Sequence, residues 1–297
     1  MSGVFSAERT RALRSFLVPS LPPARVAVLR VVVYLFTIVH IHWIANDPLA
    51  HGDVPAMLYQ PTLLRAWLHL PAPTPVYVHV LEVVLVASAL VAATGRLPRL
   101  SGGVCLLAFL DWQTNNFGYG KVDHDSFALL VALAVLPTVG TVRWHDREPD
   151  ERAGWAVRMI QLAVVASYFL AALAKLRFGG LLWANGAVFT WAFSRRGTPL
   201  ATAIASVPGL LHVGQWTLLL AELCSPVMLW LRGRWIWVAV MFWVGFHLVT
   251  YLAIGIHFLA LAVCLLAFLP LERLLLWREL APLQRRERAV PLHRGQP

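Results

Sequence analysis

The chain is 297 residues long, 59% hydrophobic and only 13% charged, with a mean hydropathy of +0.66. So little polar surface cannot cover a water-soluble globule, so the composition excludes that class and makes lipid the solvent. The charge is strongly basic, +10 with a pI near 10.4. Its arginines are distributed between apolar runs rather than gathered in one patch, which argues for membrane orientation and against a nucleic-acid partner.

Residues 1–23 open with MSGVFSAERTRALRSF and Pro-rich SLPPAR. A full-length apolar run follows, not the short apolar core and small-residue cleavage site of a removable signal. Crossing a hydrocarbon layer of roughly 30 Å takes about 20 apolar residues in a helix. About eight such runs occur, near 24–45, 75–94, 98–116, 124–140, 154–176, 209–230, 234–253 and 255–270. None alternates apolar and polar residues, so the expected fold is an all-α, multi-pass helical bundle and not a transmembrane barrel. The polar linkers 46–74, 141–153 and 177–208 are too short for a soluble domain. Residues 24–270 are therefore expected to form one membrane domain.

Arginine marks one side of that bundle. Arg9, Arg11, Arg14 and Arg25, then Arg96 and Arg99, then Arg143, Arg147, Arg152 and Arg158, then Arg232 and Arg234 fall on alternate linkers and adjoining helix ends. With Arg273, Arg278, Arg285, Arg286, Arg288 and Arg294 they make up most of the 25 basic residues. The bias predicts cytoplasmic N- and C-termini in a plasma-membrane protein, and so an even number of crossings. The tail, 271–297, with LERLLLWREL and RRERAV, reads as an amphipathic basic helix lying on anionic headgroups, making membrane lipids a partner. Cys105, Cys224 and Cys264 fall inside apolar runs without CxxC spacing, as inert thiols rather than a disulfide framework.

Ionisable side chains inside lipid are costly and face a bundle interior or a cavity. Arg30, Glu82, Asp111, Lys175 and Glu222 are of this kind. The first three can equally be paired charges that fix packing. In the fifth run, GWAVRMIQLAVVASYFLAALAKL, Gln161, Tyr168 and Lys175 recur every seven residues and share one helix face. Lys175 lies roughly 10 Å beyond Tyr168 along the axis. It reads either as a snorkelling lysine or as a general base among apolar walls. His212, Gln215 and Glu222 share a face of the sixth run, and Trp243, His247 and Tyr251 a face of the seventh. Three polar stripes in one bundle point to a polar cavity. No histidine pair has ligand spacing on one helix face, so neither haem nor metal is expected. Asp125 and Ser126 suit a helix start; His124 has no capping role there and, between two carboxylates at a positive helix end, is a candidate proton-transfer group.

SYFLAALAKL, followed by LLWANGAVF, resembles the horizontally transferred transmembrane (HTTM) family, which includes the membrane part of vitamin K-dependent γ-carboxylases. The VLR start of the first run, HDSFALLVALAVLP, AELCSPVMLW, GFHLVTY and IHFLA occur in the family's order. The resemblance implies an enzyme that binds a reduced quinone, vitamin K-like or a menaquinol, and acts on an extracytoplasmic peptide or small molecule. By motif, Lys175 matches the family's catalytic base and His124 the histidine that assists it. Tyr168, Trp183, Glu222 and His247 are then expected to line the quinol pocket, with Trp183 serving either as a stacking surface or as an interfacial aromatic. Three departures stand out. The chain ends soon after its last apolar run, the family's paired lysines are replaced by Ala174 and Lys175, and RFGGLL lengthens the approach to Trp183. The shortness suits an alternative, a non-catalytic membrane partner in export, maturation or immunity. A transporter is a third reading, against which stands the absence of inverted repeats.

Overall fold

A computed structural model describes residues 2–44, 48–120 and 124–273. Regular structure among them is helical, apart from one isolated bridge between Leu21 and Asp150. A basic helix α1 (Ser2–Leu17) leads to α2 (Pro23–Val39), which passes into a π-helical turn at His40–Ile44. Two short helices, α3 (Pro48–His51) and α4 (Leu63–Trp67), sit in the first linker. A tight turn joins α5 (Pro75–Ala93) to α6 (Pro98–Phe117). Then come α7 (Phe127–Val135), the long α8 (Glu151–Gly179), and the short α9 (Ala187–Arg196) and α10 (Pro199–Ala205). The last helices are α11 (Leu210–Cys224), α12 (Arg234–Ile254) and α13 (Leu259–Cys264). Proline at the first turn of α2, α5 and α6 starts each helix where a free amide needs no partner.

Four helical segments are long and apolar enough to cross a bilayer: Pro23–Ile44, Pro75–Ala93, Glu151–Ala184 and Arg234–Ile254. A fifth arises if Pro199–Ala205 and Leu210–Leu229, bent by 100°, count as one broken span. The remaining apolar runs are helical but shorter or more polar. Phe127–Val139 and Leu259–Phe268 are short apolar helices, and α6 carries Asp111, Gln113, Thr114, Asn115 and Asn116 near its end.

Apolar side chains face outward as well as inward, unlike those of a water-soluble fold. Val76, Val80, Val83 and Val91 of α5 point outward, whereas Arg30, His40, Gln215, Glu222 and His247 are buried. That is the pattern expected when backbone and polar groups must be satisfied inside and lipid wets the outside.

The arginine-rich segments meet at one end of the bundle. Arg25 is bound through two nitrogens to Glu272, each at 2.8 Å, and Arg147 donates to the Glu272 carbonyl. Arg14 pairs with Glu151, and Arg158 lies over the Phe16 ring, which stacks on Trp230. Arg30 does not meet Glu82 or Asp111; it donates to the carbonyls of Leu136 and Gly140, where the short helix after α7 finishes. Gly154 is required here, because a Cβ would overlap the Pro19 carbonyl oxygen. The residues after 273, where the amphipathic tail is expected, lie outside the described residues.

Candidate functional site

The other end of the bundle is built around the C-terminal half of α8. Ala172, Ala184 and Leu219 are almost fully buried and bring α8, the turn after it and α11 into contact. Small side chains at that junction let the helices approach closely. Lys175 projects from α8 into it, with its ammonium 2.5 Å from both carboxylate oxygens of Glu222 on α11. Glu222 is 5% exposed. The lysine is thus not merely snorkelling; it belongs to a largely buried, bidentate ion pair between two helices.

Trp183 completes the group, its ring centroid 4.9 Å from the Lys175 ammonium. The chain delivers it by ending α8 in a left-handed Gly180, φ +57°, followed by a tight turn at Gly180–Ala184. Gly179 packs directly on the Trp183 side chain, where a Cβ would crowd it. Gln215 then pins the turn, its Nε2 donating to the Trp183 carbonyl at 2.5 Å. Its other amide atom, Oε1, is buried without a protein partner. Gly186, φ +90°, starts α9, and the Asn185 side chain accepts from the Ala187 amide, the turn-forming role expected for this pair.

Two helical turns deeper, the Tyr168 hydroxyl is 2.8 Å from His247 Nε2 on α12. The Tyr168 ring stacks on Trp243 with centroids 3.7 Å apart. The stripes of α8, α11 and α12 therefore do converge, but in pairs rather than around one open chamber. Lys175 meets Glu222 and Trp183, and Tyr168 meets His247 and Trp243. Gln161 leaves the group and donates to the Ala267 carbonyl, while Tyr251 is half exposed. His212 is absent from both pairs; with Asn185, Gly186, Thr190 and Trp191 it borders a separate cavity of about 650 Å³ beneath α9 and α10. A second, apolar groove of about 360 Å³ runs between α11 and α12 past Cys224, Phe242 and Trp243.

His124 begins the turn before α7, but its side chain lies outside the described residues, so the contacts of the expected assisting histidine are not on view. Its neighbour Ser126 is on view, and its hydroxyl lies 3.2 Å from His40 Nε2.

Sequence patterns did not reveal a third cluster. Arg65, in the first linker and fully buried, is ion-paired to Asp111 of α6 and donates to the Pro71 carbonyl. The Tyr77 hydroxyl also donates to Asp111, and Arg65 sits over the Tyr59 and Tyr77 rings. The available signal was Asp111 itself, a carboxylate inside an apolar run that needs a cation. Glu82 takes neither role; its carboxylate faces His42 and His79. Among the described residues no three histidine, cysteine, aspartate or glutamate side chains are grouped to hold a metal.

Compared with protein-family models, with curated proteins and with solved structures, the chain has no match.

Proposed function

We propose that this chain is a multi-pass membrane enzyme of the γ-carboxylase kind, in which Lys175 starts a quinol-linked reaction at the outer side of the bundle. The observation that carries the reading is the Lys175–Glu222 pair beside an indole face. In an apolar site, passing one proton from Nζ to the carboxylate exchanges two buried charges for two neutral groups. The free amine is then a base positioned against Trp183, and Glu222 is the proton acceptor that makes it one. This sharpens the role of Glu222 from a wall of the pocket to the partner of the base.

The residues present fit a reduced quinone. Gln215 Oε1 is a buried acceptor in need of a hydroxyl donor, and it adjoins the Trp183 turn. Trp183 offers a flat ring, and Lys175 a proton-accepting atom. With dioxygen as oxidant, a bound quinol would supply the strong base that removes a proton from carbon of an extracytoplasmic peptide or small molecule, to which carbon dioxide then adds. Tyr168 and His247, which bond to each other, support the site from beneath.

The same proposal includes eight crossings, cytoplasmic termini and a plasma-membrane location, supported by the gathering of arginine-rich segments at one end. Reporter fusions after residues 60, 120 and 206 should report the outer face; an inner-face signal at any of them overturns the eight-crossing topology.

One observation favours the rival reading of a non-catalytic membrane partner: the cavity beneath α9 and α10 and the groove between α11 and α12 are bordered by neither Lys175 nor Glu222. The two readings separate in one experiment. Protein purified in mild detergent is assayed for co-purified quinone and for quinol-dependent epoxide formation, with Lys175→Ala and Glu222→Gln alongside. Loss of turnover in both variants supports the enzyme. Well-folded wild type that neither binds nor oxidises a quinol refutes it.

A further inference from the structure

Where the end of α2, the second half of α6, the turn before α7 and the turn before α13 come together, polar atoms are buried without partners among the described residues. His40, 2% exposed, uses Nε2 toward Ser126 and leaves Nδ1 unpartnered. Its ring lies 5.9 Å from Phe109 of α6. Gln113 and Asn116, one and two turns beyond Phe109, continue that helix face. Both are more than nine-tenths buried, and each has an unpartnered side-chain oxygen. Trp112, 1% exposed, has an unpartnered indole N–H. From the α12–α13 turn, His257 comes within electrostatic range of His40, and its Nδ1 is also unpartnered. The next residue, Phe258, packs its ring 5.5 Å from that of His247, whose own Nδ1 is the third such imidazole nitrogen.

Orphaned polar atoms are rare in proteins and most expensive in a lipid-embedded interior. Here donors and acceptors are mixed, carry no carboxylate and lack metal-ligand grouping. They therefore suit a small neutral partner that both donates and accepts. Water meets that requirement when each molecule finds about two to four polar neighbours.

We infer that this junction holds a cluster of internal waters that links the His40, His257 and His247 imidazoles into a proton path from Tyr168 to the outer end of the bundle. Imidazole can take a proton on one nitrogen and release one from the other, so three imidazoles with one open nitrogen each can hand protons on through water. The π-helical turn at His40–Ile44 leaves the regular ladder at this point, as such turns do at functional sites. The path's use rests on the proposed function: a proton taken from a quinol and held on Glu222 must be passed on, and Glu222 is within electrostatic range of Tyr168.

The test needs no quinol. With the protein in lipid nanodiscs, hydrogen–deuterium exchange at histidine C2 is followed by mass spectrometry, with His69, exposed in the first linker, as reference. His40, His247 and His257 should exchange within about tenfold of His69. No measurable exchange at these three overturns the inference. His257→Phe, which fills the turn, should slow exchange at His247 by about tenfold while sparing His69; unchanged His247 exchange overturns the path. Should that variant fail to fold, Gln113→Leu with Asn116→Leu decides. In a hydrated site the pair lowers the melting temperature, and in a dry one it removes orphaned oxygens and raises it. Lys175→Ala should leave histidine exchange unchanged while abolishing quinol turnover, so failure of the path and failure of the enzyme reading are told apart.

Discussion

Replacing Lys175 by Met should destabilise the bundle much more than replacing Glu222 by Leu. Both carboxylate oxygens of Glu222 lie 2.5 Å from Nζ, and the glutamate side chain is 7% exposed. Removing the ammonium strands a buried carboxylate, which costs about 3–5 kcal/mol. The reverse change leaves a lysine that is 21% exposed and sits near the C-terminal end of α8. Its long stem can carry the charge to the headgroups, and the loss is about 1 kcal/mol. The double replacement, apolar against apolar, should return close to wild type, since a buried pair exchanged for packed hydrophobic groups is often neutral. Reversible unfolding in bicelles, read by steric trapping, gives all four corners of the cycle. Equal single losses, or losses that simply add in the double variant, would refute the buried pair and with it the base assigned to Lys175.

Three further perturbations test the frame around the site. Arg65→Met should cost about 2–3 kcal/mol, below the figure for a fully buried pair because Asp111 is 22% exposed. It should also open residues 49–74 to limited proteolysis; an unaltered digestion pattern contradicts the latch. Gly154→Ala should cost at least about 1–3 kcal/mol, because the carbonyl of Pro19 is backbone and cannot swing away; a melting temperature within error of wild type disproves that contact. Burial works to raise the Glu272 carboxyl, but the hydrogen bonds and charge of Arg25 outweigh it and hold the group below its ordinary value. A carboxyl lowered on folding contributes stability above its unfolded value near 4.3, lost as pH falls through the folded value. The stability gap between wild type and Glu272→Gln should therefore be present at pH 7 and close in acid. A gap that persists unchanged to pH 2 contradicts it.

Helix positions were legible because apolar runs and their punctuation are local properties. The run near 24–45 became Pro23–Ile44, that near 75–94 became Pro75–Ala93 and that near 234–253 became Arg234–Ile254. Length was less legible. Pro137 and Pro226 lie in tighter turns that cut the fourth and sixth runs short, and the eighth run's helical structure ends at Phe268, two residues before Pro270. Periodicity placed Lys175 and Glu222 each on a polar face, but which faces meet depends on how two helices rotate against each other. That is set by Ala172, Ala184 and Leu219, whose composition signals only core. The same holds for Arg65, where a linker arginine finds a helix aspartate 46 positions away. His40 and Ser126 show the limit most plainly, since neither spacing nor motif joins residues on separate helices.

The two ends of the bundle differ in what their polar groups do, and this bears on where chemistry belongs. At the arginine-rich end, cations meet carbonyls where helices finish. Arg30 reaches Leu136 and Gly140 after α7, and Arg158 reaches Leu229 after α11. The last carbonyls of a helix lack internal partners and carry partial negative charge, so arginine there satisfies backbone and dipole together. The positive bias that suggests orientation is thus also a set of helix caps, which gives these arginines a structural role independent of any substrate. The opposite end has no such explanation for its polar groups. Lys175 and Glu222 pair across helices rather than capping them, Gln215 keeps an acceptor open beside Trp183, and three imidazoles each hold an open nitrogen. Groups that are buried, costly and not consumed in closing the fold are the ones the proposed function draws on.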